Sequence, residues 1–161
     1  MLDLIAFPDN ARVWIYQGNK EVPDDLLSAV HHRIVEFTDN WSSHQVPLAS
    51  TGTILHKRFI VLVVDEEKAG VSGCGIDKAV HFVQALGHKL NIDFFDRNRY
   101  SYLIEDVVHH ADSNQLKALY DSGEINDETL IFDNLVNNKV RFIQEWVKPI
   151  GQSWIKRVVL S

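Results

Sequence analysis

Six consecutive apolar residues, Phe59-Ile-Val-Leu-Val-Val64, bounded by Arg58 and Asp65, constrain the fold of this chain more than any other stretch. A strand half-exposed to water alternates apolar and polar residues. An unbroken run of β-branched and aromatic residues implies a strand covered on both faces or central in a sheet. At six residues the run is far short of the roughly 20 a membrane helix needs, so no membrane insertion is expected. A sheet interior of this kind needs strands beside it and helices over it, and the flanking sequence supplies candidates for both.

Arg12 to Gln17 alternates bulky residues after the turn-like Pro8-Asp9-Asn10 and reads as a first strand. A helix is expected from about Pro23, with Asp24 and Asp25 in its first turn, where carboxylates suit the dipole. Leu26, Leu27, Val30, Ile34, Phe37 and Trp41 recur on it at helical spacing. Ser42 to Ser50 reads as a loop. Gly52 to His56 and Arg58 to Asp65 read as a tight strand pair. Ile76, Ala79, Val80, Val83, Leu86 and Leu90 trace the stripe of a second helix. Tyr100 to His110 reads as a strand with an irregularity at Glu105-Asp106. Ser113 is expected to cap a short helix that Gly123 stops. Thr129 to Phe132 is a short strand. Val136, Val140, Ile143, Val147 and Ile150 form a further helical stripe, and Ile155 to Leu160 reads as a closing strand. The expected fold is one α+β domain over residues 1–161. Its core is a single-layer mixed, mostly antiparallel sheet of about five to six strands with helices packed on it.

Composition narrows the classes of function. The chain has 161 residues, 45% of them hydrophobic, enough for a buried core. A net charge of −6 disfavours a nucleic-acid partner, and the nearest basic cluster, His56-Lys57-Arg58, is short. One cysteine forms no intrachain disulfide, and Met1 to Pro8 lacks the basic-then-apolar pattern of a secretory signal. A cytoplasmic setting is therefore the expectation.

The candidate site is Ser72-Gly73-Cys74-Gly75-Ile76-Asp77, which opens the second helix and carries the one cysteine. Unpaired N–H groups and the positive end of the dipole at a helix start favour an anion or a thiolate. Cys74, Asp77, Lys78 and His81 follow at i, i+3, i+4 and i+7, on one polar side. Two chemistries follow. In the first, Ser72, Gly73, Cys74, Gly75, Asp77, Lys78 and His81 contact a small anion or a partner protein, the glycines admitting the ligand and Lys78 adding charge. In the second, Cys74 is a catalytic nucleophile. Helix rise puts His81 about 10 Å beyond Cys74, too far for direct proton transfer, so a base would come from His44, His56, His109 or His110. The structural reading is a tight strand-to-helix turn in which Ser72 or Cys74 caps the helix and the thiol only packs. The balance favours a binding domain over an enzyme.

Eight histidines raise the question of a metal. His31-His32 and His109-His110 are adjacent and diverge, and no His-x-x-x-His pair occurs on an expected helix, so neither metal nor other cofactor is expected. Asp65-Glu66-Glu67 reads as a solvated turn, with cation binding as the alternative. Asp133 or Asn134 reads as a helix cap. Trp146 and Trp154 fit either core packing or a partner-facing surface.

Phe7-Pro-Asp-Asn-Ala-Arg-Val-Trp-Ile-Tyr16, Arg58-Phe-Ile-Val with Val64-Asp65-Glu66, and Ser72-Gly-Cys-Gly-Ile-Asp77 with Val80-His81-Phe82 together resemble a family of small bacterial proteins. Asp93 to Arg97, Asn134-Leu-Val136 and Ser153-Trp154 extend the resemblance over nearly the whole chain. Its members are commonly labelled "ABC transporter ATPase", and the resemblance brings no catalytic residues to carry over. The residues that hold ATP phosphates in such enzymes are missing here. Lys78 stands between Asp77 and Ala79, outside any Gly-x-x-x-x-Gly-Lys-Ser/Thr pattern, and there is no Leu-Ser-Gly-Gly-Gln run. What the resemblance implies is then an accessory role beside a transporter, without ATPase activity of its own.

Overall fold

The computed structural model describes residues 4–161, so the first three residues of the Met1-to-Pro8 stretch lie outside the described residues. The fold is α+β, and its strands pair antiparallel throughout. Its contacts fall into two compact units, one of residues 4–96 with 137–142 and one of residues 97–136 with 143–161.

In the first unit, β1 (Arg12–Gln17) is followed by a 3-10 turn (Asp24–Leu26) and α1 (Leu27–Asn40). Then come a short hairpin of β2 (Ser42–Ser43) and β3 (Val46–Pro47), the longer strands β4 (Ala49–Leu55) and β5 (Phe59–Asp65), and α2 (Gly73–Leu90). The strand order is β1-β5-β4. β5 is central, and all seven of its residues are buried, as its unbroken apolar run requires. Val30 and Ile34 of α1 and Ala79, Val83 and Leu86 of α2 pack with Ile60, Leu62 and Val64 in one core. Each buried Val, Leu or Ile among them contributes about 1.5–3 kcal/mol of transfer free energy. Phe37 of α1 stacks on Phe82 of α2 with ring centroids 4.4 Å apart, which holds the middle of α2 against α1.

The second unit holds β6 (Tyr100–Ile104), β7 (Val107–Ala111), α3 (Ser113–Ser122), β8 (Leu130–Phe132), β9 (Val147–Pro149), a 3-10 turn (Ile150–Gln152) and the terminal helix, Lys156–Leu160. A short helix α4 (Lys139–Glu145), whose residues up to Phe142 belong to the first unit, precedes β9, so the terminal helix is α5. The strand order is β7-β6-β8-β9. Tyr102, Leu116, Ile125, Ile131, Ile150, Ile155 and Val159 form its core.

Several sequence expectations are corrected. The strands do not share one layer of five to six; they divide into sheets of three, two and four. The physical reason is that tight two-residue turns close local hairpins, and β5 already spends both its edges on β1 and β4. The stretch Ser42 to Ser50, expected as a loop, contains the β2–β3 hairpin, whose turn residues His44 and Gln45 take φ of 50° and 67°. Tyr100 to His110 is two strands, because Glu105 and Asp106, at φ 50° and 66°, form their turn. Asp112, one residue before Ser113, caps α3, in a reciprocal capping box with Gln115. The helical stripe expected over Val136 to Ile150 is helix only from Lys139 to Glu145, and Val147 to Pro149 joins the sheet beside β8. The closing segment is helix rather than strand, and it buries Ile155 and Val159, four apart, on one side.

Candidate functional site

The start of α2 is tied to the β2–β3 hairpin. Ser72 is extended, with φ −86° and ψ 176°, and its side chain makes no bond to the helix backbone. Its hydroxyl pairs instead with the hydroxyl of Ser43, and its N–H donates to Ser43 Oγ at 3.1 Å. Trp41 Nε1 donates to the Gly75 carbonyl at 2.9 Å in a buried bond. A Cβ on Gly75 would sit 3.0 Å from Val71 Cγ1 and 3.3 Å from Ser43 Cβ, so glycine here lets the hairpin approach the helix. Lys78 Nζ donates to the Ser42 carbonyl at 3.0 Å and to Ser42 Oγ at 3.1 Å.

Of the seven residues singled out, Gly73, Cys74, Asp77, Lys78 and His81 are exposed, Ser72 is half-buried and Gly75 is buried. The i, i+3, i+4, i+7 set therefore does share a solvent-facing side. Its chemistry is partly committed, because the Ser72 N–H and the Lys78 ammonium already have partners within the chain. The free thiol of Cys74 is exposed. Among the described residues no hydrogen bond joins it to a histidine or a carboxylate. His44 lies in the β2–β3 turn, beside the Ser43 that holds Ser72. His56 lies in the β4–β5 turn at φ 50°, and His109 and His110 lie on β7 in the second unit.

Three grooves open elsewhere. One of about 450 Å³ lies between the start of α1 and the end of β4, lined among others by His31, Thr53, His56 and Lys57. There Thr53 Oγ1 lies 3.3 Å from His31 Nδ1, and burial, then the Arg58 charge, hold the His56 pKa below its usual value. A second, of about 510 Å³, follows the C-terminal end of α2 around Gly87, Asn91 and Phe94. The third, of about 500 Å³, lies between β7 and α3. None of the three is lined by residues 72–78. The sequence carries no motif for them.

The remaining polar residues mostly serve the fold. Asp65 Oδ1 accepts from the Glu67 N–H, and Glu66 accepts from the Val71 N–H while lying 3.4 Å from Arg12 Nε. Among the described residues no group of three or more His, Cys, Asp or Glu could hold a metal ion. Asp133 is not a helix cap. It is buried and receives Lys148 Nζ at 2.9 Å, Trp154 Nε1 at 3.0 Å and the Leu135 N–H at 3.0 Å. Trp146 is buried at 7% exposure, with its indole N–H on Asn134 Oδ1, whereas Trp154 is 38% exposed. The partner-facing pair of indoles is thus reduced to one. No helix among the described residues is long and apolar enough to cross a membrane.

No family model, no curated protein and no solved structure matches the chain.

Proposed function

We propose that this chain is a cytoplasmic, non-enzymatic interaction domain that meets a partner protein through the exposed polar side at the start of α2. The observation that carries this reading is the joint exposure of Cys74, Asp77, Lys78 and His81 on a helix whose first turn is fastened to the β2–β3 hairpin. A rigid, open, mixed-charge face suits a protein surface better than a small anion, because the Ser72 N–H and the Lys78 ammonium are already engaged. An accessory role beside a transporter is one setting for such a contact.

The test uses Cys74 as a handle. A benzophenone maleimide placed on Cys74 is expected to photo-crosslink one partner in cells. The same label on His32→Cys, in a Cys74→Ser background, is expected to give no such adduct. Asp77→Lys with His81→Glu should abolish the Cys74 adduct while leaving the circular dichroism unchanged. Equal adducts from both positions would remove the basis of the proposal.

The exposure of Cys74 also supports a second reading, in which its thiolate attacks an electrophilic substrate. That reading requires iodoacetamide to alkylate Cys74 well above the rate of a free thiol at neutral pH. A rate equal to that of a cysteine peptide sinks it.

A further inference from the structure

We propose that the outer edge of β7, together with the groove between β7 and α3, accepts an extended basic peptide segment as an added strand. This surface lies in the second unit and is independent of the α2 face.

The register pairs Ile104 with Val107, Leu103 with Val108, Tyr102 with His109, Ser101 with His110 and Tyr100 with Ala111. In a hairpin closed by a two-residue turn, the pair flanking the turn exchanges backbone hydrogen bonds, and bonded pairs then alternate. Val107, His109 and Ala111 therefore bond inward to β6, while the backbone N–H and C=O of Val108 point outward. Among the described residues β7 has no strand on that outer side.

Two of the other edges of the two larger sheets are blocked. The outer edge of β1 carries the 137–140 segment, through Val13 N–H to the Asn137 carbonyl and Lys139 N–H to the Ala11 carbonyl. β4 meets α1 at Ser50, whose Oγ donates to the Thr38 carbonyl at 3.0 Å, and its far end faces the groove beside α1. β9 ends in Pro149, which offers no donor. β7 reads Val107-Val108-His109-His110-Ala111, with no lysine, proline or glycine to block pairing. Val107 is 56% exposed. Beside this edge the groove offers Ala111, Ala118 and Leu119 as apolar wall, with Gln115 and Glu124 at its polar rim.

Charge selects the occupant. Glu105 and Asp106 stand at one end of β7, Asp112 at the other and Glu124 on the groove, and among the described residues Glu105, Asp106 and Glu124 are exposed and in no ion pair. A second copy added antiparallel about His109 would set Glu105-Asp106 of one chain beside Asp112 of the other, acid against acid. An alternating segment with lysine or arginine at both ends meets acids at both ends instead, and its main chain supplies the ladder bonds.

The probe is acetyl-Lys-Thr-Val-Thr-Val-Lys-amide, titrated into the ¹⁵N-labelled full chain and followed by NMR. The expected result is saturable shifts at residues 107–111 and 115–124, and Val108 amide exchange slowed by about tenfold or more at saturation. The analogue with glutamate in place of lysine should not bind. Glu124→Lys, Val108→Pro (which removes an outward donor only) and backbone N-methylation of the peptide should each weaken binding by about tenfold. If Val108→Pro fails to fold, Glu124→Lys and the N-methylated peptide decide. The proposal is overturned by shifts confined to other regions, by equal binding of the lysine and glutamate peptides, or by no binding up to about 1 mM. It is equally overturned if sedimentation shows a dimer that protects Val108 without peptide. Shifts confined to residues 72–81 would overturn it while leaving the α2 reading in place.

Discussion

Asp133→Ala removes a carboxylate that is 2% exposed and accepts three hydrogen bonds, one of them from the ammonium of Lys148 at 2.9 Å. The Lys148 side chain is itself only 15% exposed, so the substitution leaves a cation largely out of water without its counter-ion. Breaking such a pair from one side costs roughly 3–5 kcal/mol when burial is complete. The partial access of Lys148 to solvent lets its head group recover some hydration, and we expect about 3 kcal/mol. Lys148→Met leaves Asp133 with the Trp154 and Leu135 donors and should cost about 2 kcal/mol. In the double variant no unpaired buried charge remains. Its cost should therefore stay near 3 kcal/mol, about 2 kcal/mol below the sum. Urea unfolding followed by far-ultraviolet circular dichroism measures this. With a slope of about 2 kcal/mol/M, Asp133→Ala should lower the midpoint by about 1.5 M. Acid adds a second readout. Burial pushes the Asp133 carboxyl up, but the bonds from Trp154, Lys148 and the Leu135 N–H together outweigh it and hold the carboxyl below its usual value. The group thus contributes stability above the ordinary carboxylate range, and that stability is lost as pH falls through the lowered native pKa. Asp133→Ala should flatten that acid limb. Single variants that each cost under about 1 kcal/mol, or a double variant equal to the sum, would refute this account of the pair.

Gly87→Ala raises intrinsic helix propensity, yet the added Cβ would lie 2.5 Å from the Ile92 carbonyl oxygen. Overpacking should win, lowering stability by about 2 kcal/mol in urea; a stabilised variant would contradict the close approach. Gln45→Gly relieves a left-handed residue at φ 67° in an exposed turn and should raise stability by about 1 kcal/mol, read as an increase in Tm. Burial pushes the Tyr16 hydroxyl up to about 12. The native state therefore keeps a proton that the unfolded chain releases near pH 10, so stability should fall as pH rises from about 10 to 12. Ultraviolet titration should show one tyrosine ionising about two units after an exposed one, and Tyr16→Phe should remove that late phase.

Long, strongly periodic segments were legible in the sequence. The run Phe59 to Val64 is the buried central strand, and the stripe from Ile76 to Leu90 is α2, because burial on one face or two leaves a direct imprint on residue order. Short segments were not, because tertiary contacts outweigh local preference there. Val147 and Ile150 continue the helical spacing of Val136, but Lys148 is opposite Ile131 in a sheet, where it reaches Asp133. Ile155 to Leu160 is rich in β-branched residues, yet its backbone closes turns from Lys156 to Ser153 and from Val158 to Ile155. The exposed polar side of α2 follows from periodicity alone. Its attachment to Ser42, Ser43 and Trp41 does not, since those residues are some thirty positions away. The β7–α3 groove was hidden for a simpler reason. Glu105-Asp106 is a turn built without glycine, so it reads in the sequence as an irregularity within one strand and not as the point where β6 ends and β7 begins.

The 137–142 segment joins the first unit only after the chain has passed through residues 97–136 of the second. Neither unit is therefore a contiguous gene segment, and no single stop codon or start site isolates either one. A fragment ending at Asp96 would leave the carbonyls of Asp9 and Ala11 and the N–H of Val13 without their partners in the strap. It would thereby turn a finished edge of β1 into a sticky one. Fragment libraries built from simple truncations would then report aggregation where the intact chain has a covered strand. The piece suited to separate expression is an internal excision of residues 97–136, with 137–142 rejoined to Asp96 by a flexible linker.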